Sequence, residues 1–408
     1  MIENWQDTSS RVRGDVRGNI ESKSLLITAD YPPIVSGIST VFYNIWKHLS
    51  QDRLLILAPR TKDCFEFDSK NRIRVLRRYF SLGDNVLRRM LRSILLYIYT
   101  KQIVKKENIN LLVCGQPMII GFIGLVFKKQ FKIPYHVWVY GGEILKFKGN
   151  KILLGMLRVI LNNADKIISN SSFTAQVFRD LNIDVAKIVI VSPAVDIEQF
   201  RPGIDISDLV REYDLEKKKT IMTVGRLVPR KGNDTIIKCL KRVIEKIPNV
   251  VYLIIGEGPN KQNLEVLVKE LGLRENVIFA GYVSDEDLPK YYNLCDLYVL
   301  PNRETGDFDT IEGFGITFVE AGACGKPVIG GRSGGTSDSI LHGVTGVLVE
   351  PQDEEMLVNR IIELLVNHEL ANRLGSQGRE RVFEKFRWEV SSGIVENLMP
   401  EDETKNPD

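Results

Sequence analysis

The sequence predicts an α/β protein of two Rossmann-like domains facing each other across a cleft, and three observations carry that reading. Short apolar, β-prone runs alternate with helical stretches along most of the chain. Twice, at Ser24–Ala29 and at Thr220–Gly225, such a run opens into a glycine-bearing loop and then a helix, the first unit of a doubly wound sheet. At 408 residues the chain is also long enough for two cores.

Composition narrows the class. A hydrophobic content of 44% with 26% charged residues is that of a soluble globular protein, and a net charge of +3 gives no general argument for nucleic acid. The five cysteines, Cys64, Cys114, Cys239, Cys295 and Cys324, are scattered and form no Cys-x-x-Cys pair, as expected of buried thiols in a reducing compartment. Residues 1–22 are polar and read as an N-terminal extension without a signal peptide, so a cytoplasmic protein is expected. The apolar run Leu111–Phe127 is interrupted by Gly115-Gln116-Pro117, which suits a strand, a turn and a buried helix better than a membrane span.

Residues 23–195 are expected to form the first domain. After the Ser24–Ala29 strand comes Asp30-Tyr-Pro-Pro-Ile-Val-Ser-Gly37, then an amphipathic helix from about Thr40 to Leu49, and a second strand at Arg53–Ala58. The stretch from Arg72 to Lys106 carries ten cations against Asp84 alone, with Leu87, Met90, Leu91, Ile94, Leu95 and Ile98 at helical spacing. That pattern suits a helix lying on an anionic membrane, on the inner face of the cell membrane, and equally a surface helix packed on the sheet. No nucleic-acid motif accompanies it. Leu111–Cys114, Pro134–Tyr140, Asp165–Ser169 and Lys187–Val191 read as further strands, with Ser171 and Ser172 capping a helix at Phe173–Asp180. His136, inside its strand, reads as a packing residue.

A polar linker, residues 196–219, leads to the second domain at 220–385. Its first strand ends in Gly225-Arg226-Leu-Val-Pro-Arg230-Lys231-Gly232, and Asn233 and Asp234 open a helix. Arg226 and Lys231 thus lie at a strand's carboxyl edge, where open α/β sheets bind ligands; one offers a planar fork for phosphate oxygens and the other a movable charge. Val251–Ile255, Asn276–Ala280, Leu297–Leu300, Pro327–Ile329 and Val347–Val349 are the remaining strands, followed by helices from about Asp353 to Phe383. A closing segment, 386–399, and a disordered tail, 400–408, complete the chain.

The most informative stretch is Glu312-Gly-Phe-Gly-Ile-Thr-Phe-Val-Glu320, in which Ile316–Ala323 reads as a short buried helix. The amides of Phe314, Gly315 and Ile316, with the helix dipole behind them, make a seat for phosphate. The flanking carboxylates of Glu312 and Glu320 suit hydroxyl donors, as a sugar and a ribose offer. A nucleotide-sugar has hydroxyls at both ends and a pyrophosphate between.

With Lys231 roughly 80 residues upstream, this segment resembles the Glu-x7-Glu motif of retaining glycosyltransferases of family 4, also called glycosyl transferases group 1, and Gly331-Arg-Ser-Gly-Gly-Thr-Ser-Asp338 is worded most like the phosphatidyl-myo-inositol mannoside mannosyltransferases among them. The resemblance implies the GT-B fold and a second domain that binds the donor. It implies donor contacts from Arg226, Lys231, Glu312, Phe314, Gly315, Ile316 and Glu320, from Gly37, and from a backbone group near Val283 at the base. Ser36 stands where the family has the first of two glycines, and Ser192-Pro-Ala-Val-Asp departs slightly from the family's Pro-Gly-Val-Asp. The family's His-Gly-x-Glu becomes Tyr140-Gly-Gly-Glu143; Tyr140 takes the place of a histidine beside the reacting sugar, and Glu143 is either an acceptor ligand or a plain loop carboxylate. The family also implies that 386–399 returns to pack on the first domain.

The reading is therefore a retaining hexosyltransferase, with mannose or glucose as the sugar and a lipid-linked or glycan acceptor. Glu312, Arg226, Lys231 and Tyr140 are the expected catalytic set. No cofactor or metal is expected: Asp307-Phe-Asp309 resembles a metal motif of another glycosyltransferase fold, but Arg226 and Lys231 already supply positive charge for the pyrophosphate. Two rivals stand beside it. One is a glycoside hydrolase using Glu312 and Glu320 as an acid–base pair; the other is a non-catalytic sugar-nucleotide-binding or membrane scaffold protein.

Overall fold

A computed structural model describes residues 23–71, 73–80, 86–142, 147, 149–179, 181–305 and 311–400, with the side chains of 86–89 outside the description. Glu143, Asp307, Asp309, the 1–22 extension and the tail beyond Pro400 lie outside the described residues.

Two parallel sheets form the frame. The first holds β1 (Lys23–Ile27), β2 (Leu54–Pro59), β3 (Val75–Arg78), β4 (Ile109–Cys114), β5 (Tyr135–Val139), β6 (Lys166–Ser169) and β7 (Ile188–Ile190), in the order 3-2-1-4-5-6-7. The second holds β8 (Lys219–Val224), β9 (Val250–Ile255), β10 (Val277–Gly281), β11 (Leu297–Leu300), β12 (Val328–Gly331) and β13 (Val347–Val349), in the order 10-9-8-11-12-13. Central strands such as β2 and β9 are buried at every position, so they read as unbroken apolar runs because helices cover both faces. The strand order reverses between β1 and β4 in one sheet and between β8 and β11 in the other. The loops leaving these four strands are the ligand crevices of such folds.

The expected elements are present, with shifted ends. The first helix starts at Gly37, not Thr40, because the Ser36 side chain caps it by accepting from the Ser39 amide at 3.0 Å. The 353–383 stretch divides into Glu354–Val366 and His368–Lys385, since Asn367 leaves the helix and caps the second one through the Leu370 amide.

The basic stretch also divides. Val86–Glu107 is a helix, but Arg74, Arg77 and Arg78 belong to β3 and its approach. Arg77 is buried against Asp68, with Nε–Oδ2 at 2.9 Å and Nη2–Oδ1 at 2.7 Å, and also donates to the Pro32 and Pro59 carbonyls. It fastens the loop after β1, and its charge is not available to a surface.

The last helix, Trp388–Glu396, lies against the first domain: Trp388 and Val395 are buried in one cluster with Trp46 and Trp138. The Val195 amide donates to the Phe386 carbonyl at 2.9 Å, and the Ser391 hydroxyl to the Ser192 carbonyl at 2.8 Å. The chain thus crosses between domains twice, side by side.

Candidate active site

The centre of the site is a buried ion triad. The Glu312 Oε2 accepts from the Lys231 Nζ at 2.6 Å and from the Arg230 Nη1 at 2.8 Å. All three side chains are at most 16% exposed. Burial pushes the Glu312 carboxyl up, but the Lys231 and Arg230 charges outweigh this and hold it below the usual carboxylate range. The sequence reading passed over Arg230; only its adjacency to Lys231 hinted at a role, and a short turn at Pro229–Lys231 aims both at one carboxylate.

Several contacts fix that turn. The Lys231 side chain runs over Gly225, its Cε 3.4 Å from where a β-carbon would stand. Arg303, in the loop after β11, grips Asp234 with Nη2–Oδ1 at 2.9 Å and Thr235 with Nη1–Oγ1 at 2.8 Å. Its own amide donates to the Arg230 carbonyl at 2.9 Å. Arg226 follows β8 and is exposed at the same edge.

The Ile316–Ala323 helix forms as expected. Its N-cap, Gly315, sits in the left-handed region at φ 85° and brings no side chain to cap the first turn, so the helix start presents amides to a ligand anion. Phe314 is buried edge-on to Phe386, ring centroids 5.5 Å apart. Gly334 and Gly335 lie directly on the 312–313 backbone, where a β-carbon at either would collide with the Glu312 or Gly313 carbonyl, and the Gly335 amide donates to the Glu312 carbonyl at 2.8 Å. This is what the Gly331–Asp338 wording does here: it lets a second loop lie against the first.

Glu320 stands on that helix and accepts from the Tyr292 hydroxyl at 2.6 Å. Burial pushes its carboxyl up to about 7, against the lowering effect of that hydrogen bond. Tyr292, fully buried in the second domain, gave no sequence signal. Val283 follows β10 at the same carboxyl edge, partly buried against the second domain's core.

On the first domain, Gly37 opens its helix beside empty space: a β-carbon there would meet nothing within 4 Å. Packing therefore does not require this glycine. Tyr140 directly follows β5, its hydroxyl donating to the Gly115 carbonyl at 3.3 Å. The Tyr140 carbonyl and the Asn170 side chain face Gly313 of the other domain, at 3.6 and 3.0 Å from where its β-carbon would stand. The crevice between β1 and β4 also gathers polar groups that the sequence did not single out as a set: Gln116 accepts from the Ala29 amide at 3.0 Å and donates to the Asp30 Oδ2 at 3.0 Å. Burial raises the Asp30 carboxyl, less the lowering effect of Gln116. His136 is buried and pushed down to about 4 by burial, so it is a packing residue, as expected.

Comparison with known proteins gives this arrangement a family. Residues 35–199 match Glycosyltransferase Family 4, and residues 205–381 match Glycosyl transferases group 1. The chain belongs to the GT-B glycosyltransferases. It is 28% identical over 380 residues, 92% of this chain and 97% of the relative, to the GDP-mannose-dependent alpha-(1-6)-phosphatidylinositol monomannoside mannosyltransferase of Mycolicibacterium smegmatis. Over 202 residues, 48% of this chain and 43% of the relative, it is 35% identical to a D-inositol 3-phosphate glycosyltransferase of a Mycobacterium species. Among solved structures it is similar to Anabaena HepE in complex with UDP, with a TM-score of 0.78 at 22% identity, covering 92% of this chain and 99% of HepE. Sucrose-phosphate synthase of Thermosynechococcus elongatus superposes with a TM-score of 0.75 at 23% identity, covering 92% and 98% of the two chains. This GT-B glycosyltransferase transfers a sugar from a nucleotide-sugar donor. Among the described residues, no helix is long and apolar enough to cross a membrane.

Proposed function

We propose that this glycosyltransferase takes mannose from GDP-mannose and passes it, with retention of configuration, to a lipid-linked acceptor. The observation that carries the donor half is the Lys231–Glu312 pair at 2.6 Å beside the uncapped helix start at Gly315. Together with Arg226, these groups surround the place of a diphosphate with positive charge while leaving a carboxylate to hold the sugar. Charge developing on the departing diphosphate meets Arg226, Lys231 and the amides of Phe314–Ile316, the kind of oriented electrostatic help that usually dominates catalysis. Glu312 positions the sugar, and Glu320 accepts from the ribose. The acceptor approaches over Gly37, with Asp30, Gln116 and Tyr140 lining its side; Glu143 belongs to the same loop by sequence. No metal is required, because the side-chain cations neutralise the diphosphate. The choice of mannose and of a lipid acceptor rests on relatives that align over more than nine-tenths of the chain.

A thermal-shift screen of GDP-mannose, UDP-glucose and ADP-glucose, followed by transfer and anomeric analysis of the product, tests this. GDP-mannose should stabilise most, transfer should survive EDTA, and the product should be α-linked. A larger shift with UDP-glucose overturns the mannose reading, and a β-linked product overturns retention. Loss of transfer on chelation with recovery in manganese would bring Asp307 and Asp309 back as ligands.

A further inference from the structure

The surface of the first domain holds a feature that the donor site does not use. An apolar groove of about 340 Å³ lies between the helices Val86–Glu107, Ile119–Phe131 and Lys151–Asn163, lined by Ile94, Tyr97, Met118, Phe122, Ile123 and Met156 among others. Its rim is exposed and apolar: Ile94 is 56% exposed, Phe122 47% and Met156 42%. Beyond the rim, Leu91 and Ile98 continue the stripe on the first of these helices, and Ile152 and Val159 on the last. A contiguous exposed apolar face on a soluble domain marks an interaction surface.

Charge says what covers it. The three helices carry ten basic residues and a single acid, Glu107. Lys151 and Arg158 are exposed next to Ile152 and Val159 on the last helix, and Lys101, Lys105 and Lys129 are exposed toward the far ends of the other two. A second copy of this chain would bring equal positive charge against it. An extended peptide would lose backbone hydrogen bonds in a groove with almost no polar lining. A hydrocarbon chain has no such groups to satisfy, and an anionic headgroup beside the last helix would meet Lys151 or Arg158, with the remaining cations facing an anionic surface.

Topology sets where the groove opens. Each of the three helices follows a strand of a parallel sheet, so each begins at the sheet's carboxyl edge, on the cleft side. Six of its nine lining residues come from the first halves of these helices, Met118 caps the middle one, and Tyr97 and Val126 lie just past the midpoints. The groove therefore lies toward the cleft end of these helices rather than the opposite end.

We propose that this groove seats one acyl chain of an anionic glycerophospholipid, withdrawn from the bilayer on which the three-helix face rests. The idea deepens the lipid-acceptor reading and rests on it: a lipid held by its chain at the cleft end has its headgroup within approach of the transferred sugar.

The test uses the full chain with dihexanoyl phosphatidylglycerol below its micelle concentration, the acyl-free headgroup glycerophosphoglycerol, and phosphatidylglycerol vesicles. The monomeric lipid should bind about tenfold or more tightly than the headgroup alone. Ile94→Glu, at the groove mouth, should weaken monomeric-lipid binding by about tenfold, because a carboxylate is set against hydrocarbon. Ile98→Glu, on the same exposed stripe but outside the groove, should weaken vesicle co-sedimentation while changing monomeric-lipid affinity by less than about twofold. Both sites are exposed, so the fold should tolerate the changes, and GDP-mannose affinity in calorimetry should stay at the wild-type level in both variants. Equal loss of monomeric lipid in the two variants overturns the seat in favour of general adhesion. Absence of monomeric-lipid binding in the wild type overturns it, as does a dimer that Ile94→Glu dissociates. Loss of nucleotide-sugar binding by the wild type itself would instead strike the donor reading.

Discussion

Lys231 is the residue on which the proposed donor site turns. It pairs with Glu312 at 2.6 Å, and a donor diphosphate would draw it away as the leaving group gains charge. An interaction that strengthens toward the transition state lowers kcat as well as kcat/KM when removed. Lys231→Ala should therefore reduce kcat on the order of a hundredfold, whereas a raised KM alone would make it a simple binding residue. Arg226→Lys should fare poorly as well, because an ammonium cannot reproduce a two-pronged phosphate contact. Arg230 remains to hold Glu312 when Lys231 turns, so Arg230→Ala should leave a buried carboxylate with one partner fewer and raise its pKa. Glu320 gives a pH prediction. Its carboxyl, pushed up to about 7, becomes ionised as pH rises through that value, and ribose hydroxyls donate to the ionised form. Donor affinity in calorimetry should increase from pH 6 to pH 8 and become flat in Glu320→Gln.

At the scale of elements, the 312–315 loop holds its shape because another loop lies on it. Gly335→Ala would drive a β-carbon into the Gly313 carbonyl, so the variant should fold but misplace Glu312, with kcat falling more than the melting temperature. The Trp388–Glu396 helix is a different case, since its role is cohesion. Trp388 is 4% exposed among aromatic residues of the first domain. Trp388→Ala should cost about 3–5 kcal/mol in urea denaturation, because the cavity lies between rings that cannot collapse into it. Much of the element level was legible from alternation of apolar runs and helical stretches. The boundaries that moved did so for local reasons: Ser36 and Asn367 cap helices, and the 72–106 stretch divides because Arg77 and Arg78 enter an edge strand.

At the scale of the molecule, one carboxylate spans the domains. Asp338 of the second domain accepts from the amides of Ser172 and Phe173 at 3.1 and 3.3 Å and from the Ser172 hydroxyl at 2.5 Å, so it caps the Ser172–Arg179 helix of the first. Arg381 holds the Asp338 carbonyl from behind at 2.9 Å. A cap of this kind is worth about 1 kcal/mol, enough to bias a hinge between two domains. Asp338→Ala should enlarge the radius of gyration in X-ray scattering and raise the donor KM, with helix content unchanged. An unchanged radius would mean that the crossing segments at Val195 and Phe386 alone set the domain arrangement.

Two doubly wound sheets and the Ile316–Ala323 helix could be read from the chain alone, because they are written in local periodicity and glycine placement along single stretches. The sequence did not determine which groups meet across stretches far apart. That Arg230 turns onto Glu312, that Tyr292 reaches Glu320, that Gly334 and Gly335 support the 312–313 backbone, and that Asp338 caps a helix of the other domain all depend on through-space contacts over tens to hundreds of residues. Only the tertiary structure brings those atoms within hydrogen-bond reach. The same holds for the apolar groove: the basic, amphipathic pattern of its first helix is visible in the sequence, but three separate helices enclose the groove only after the first sheet has set them side by side.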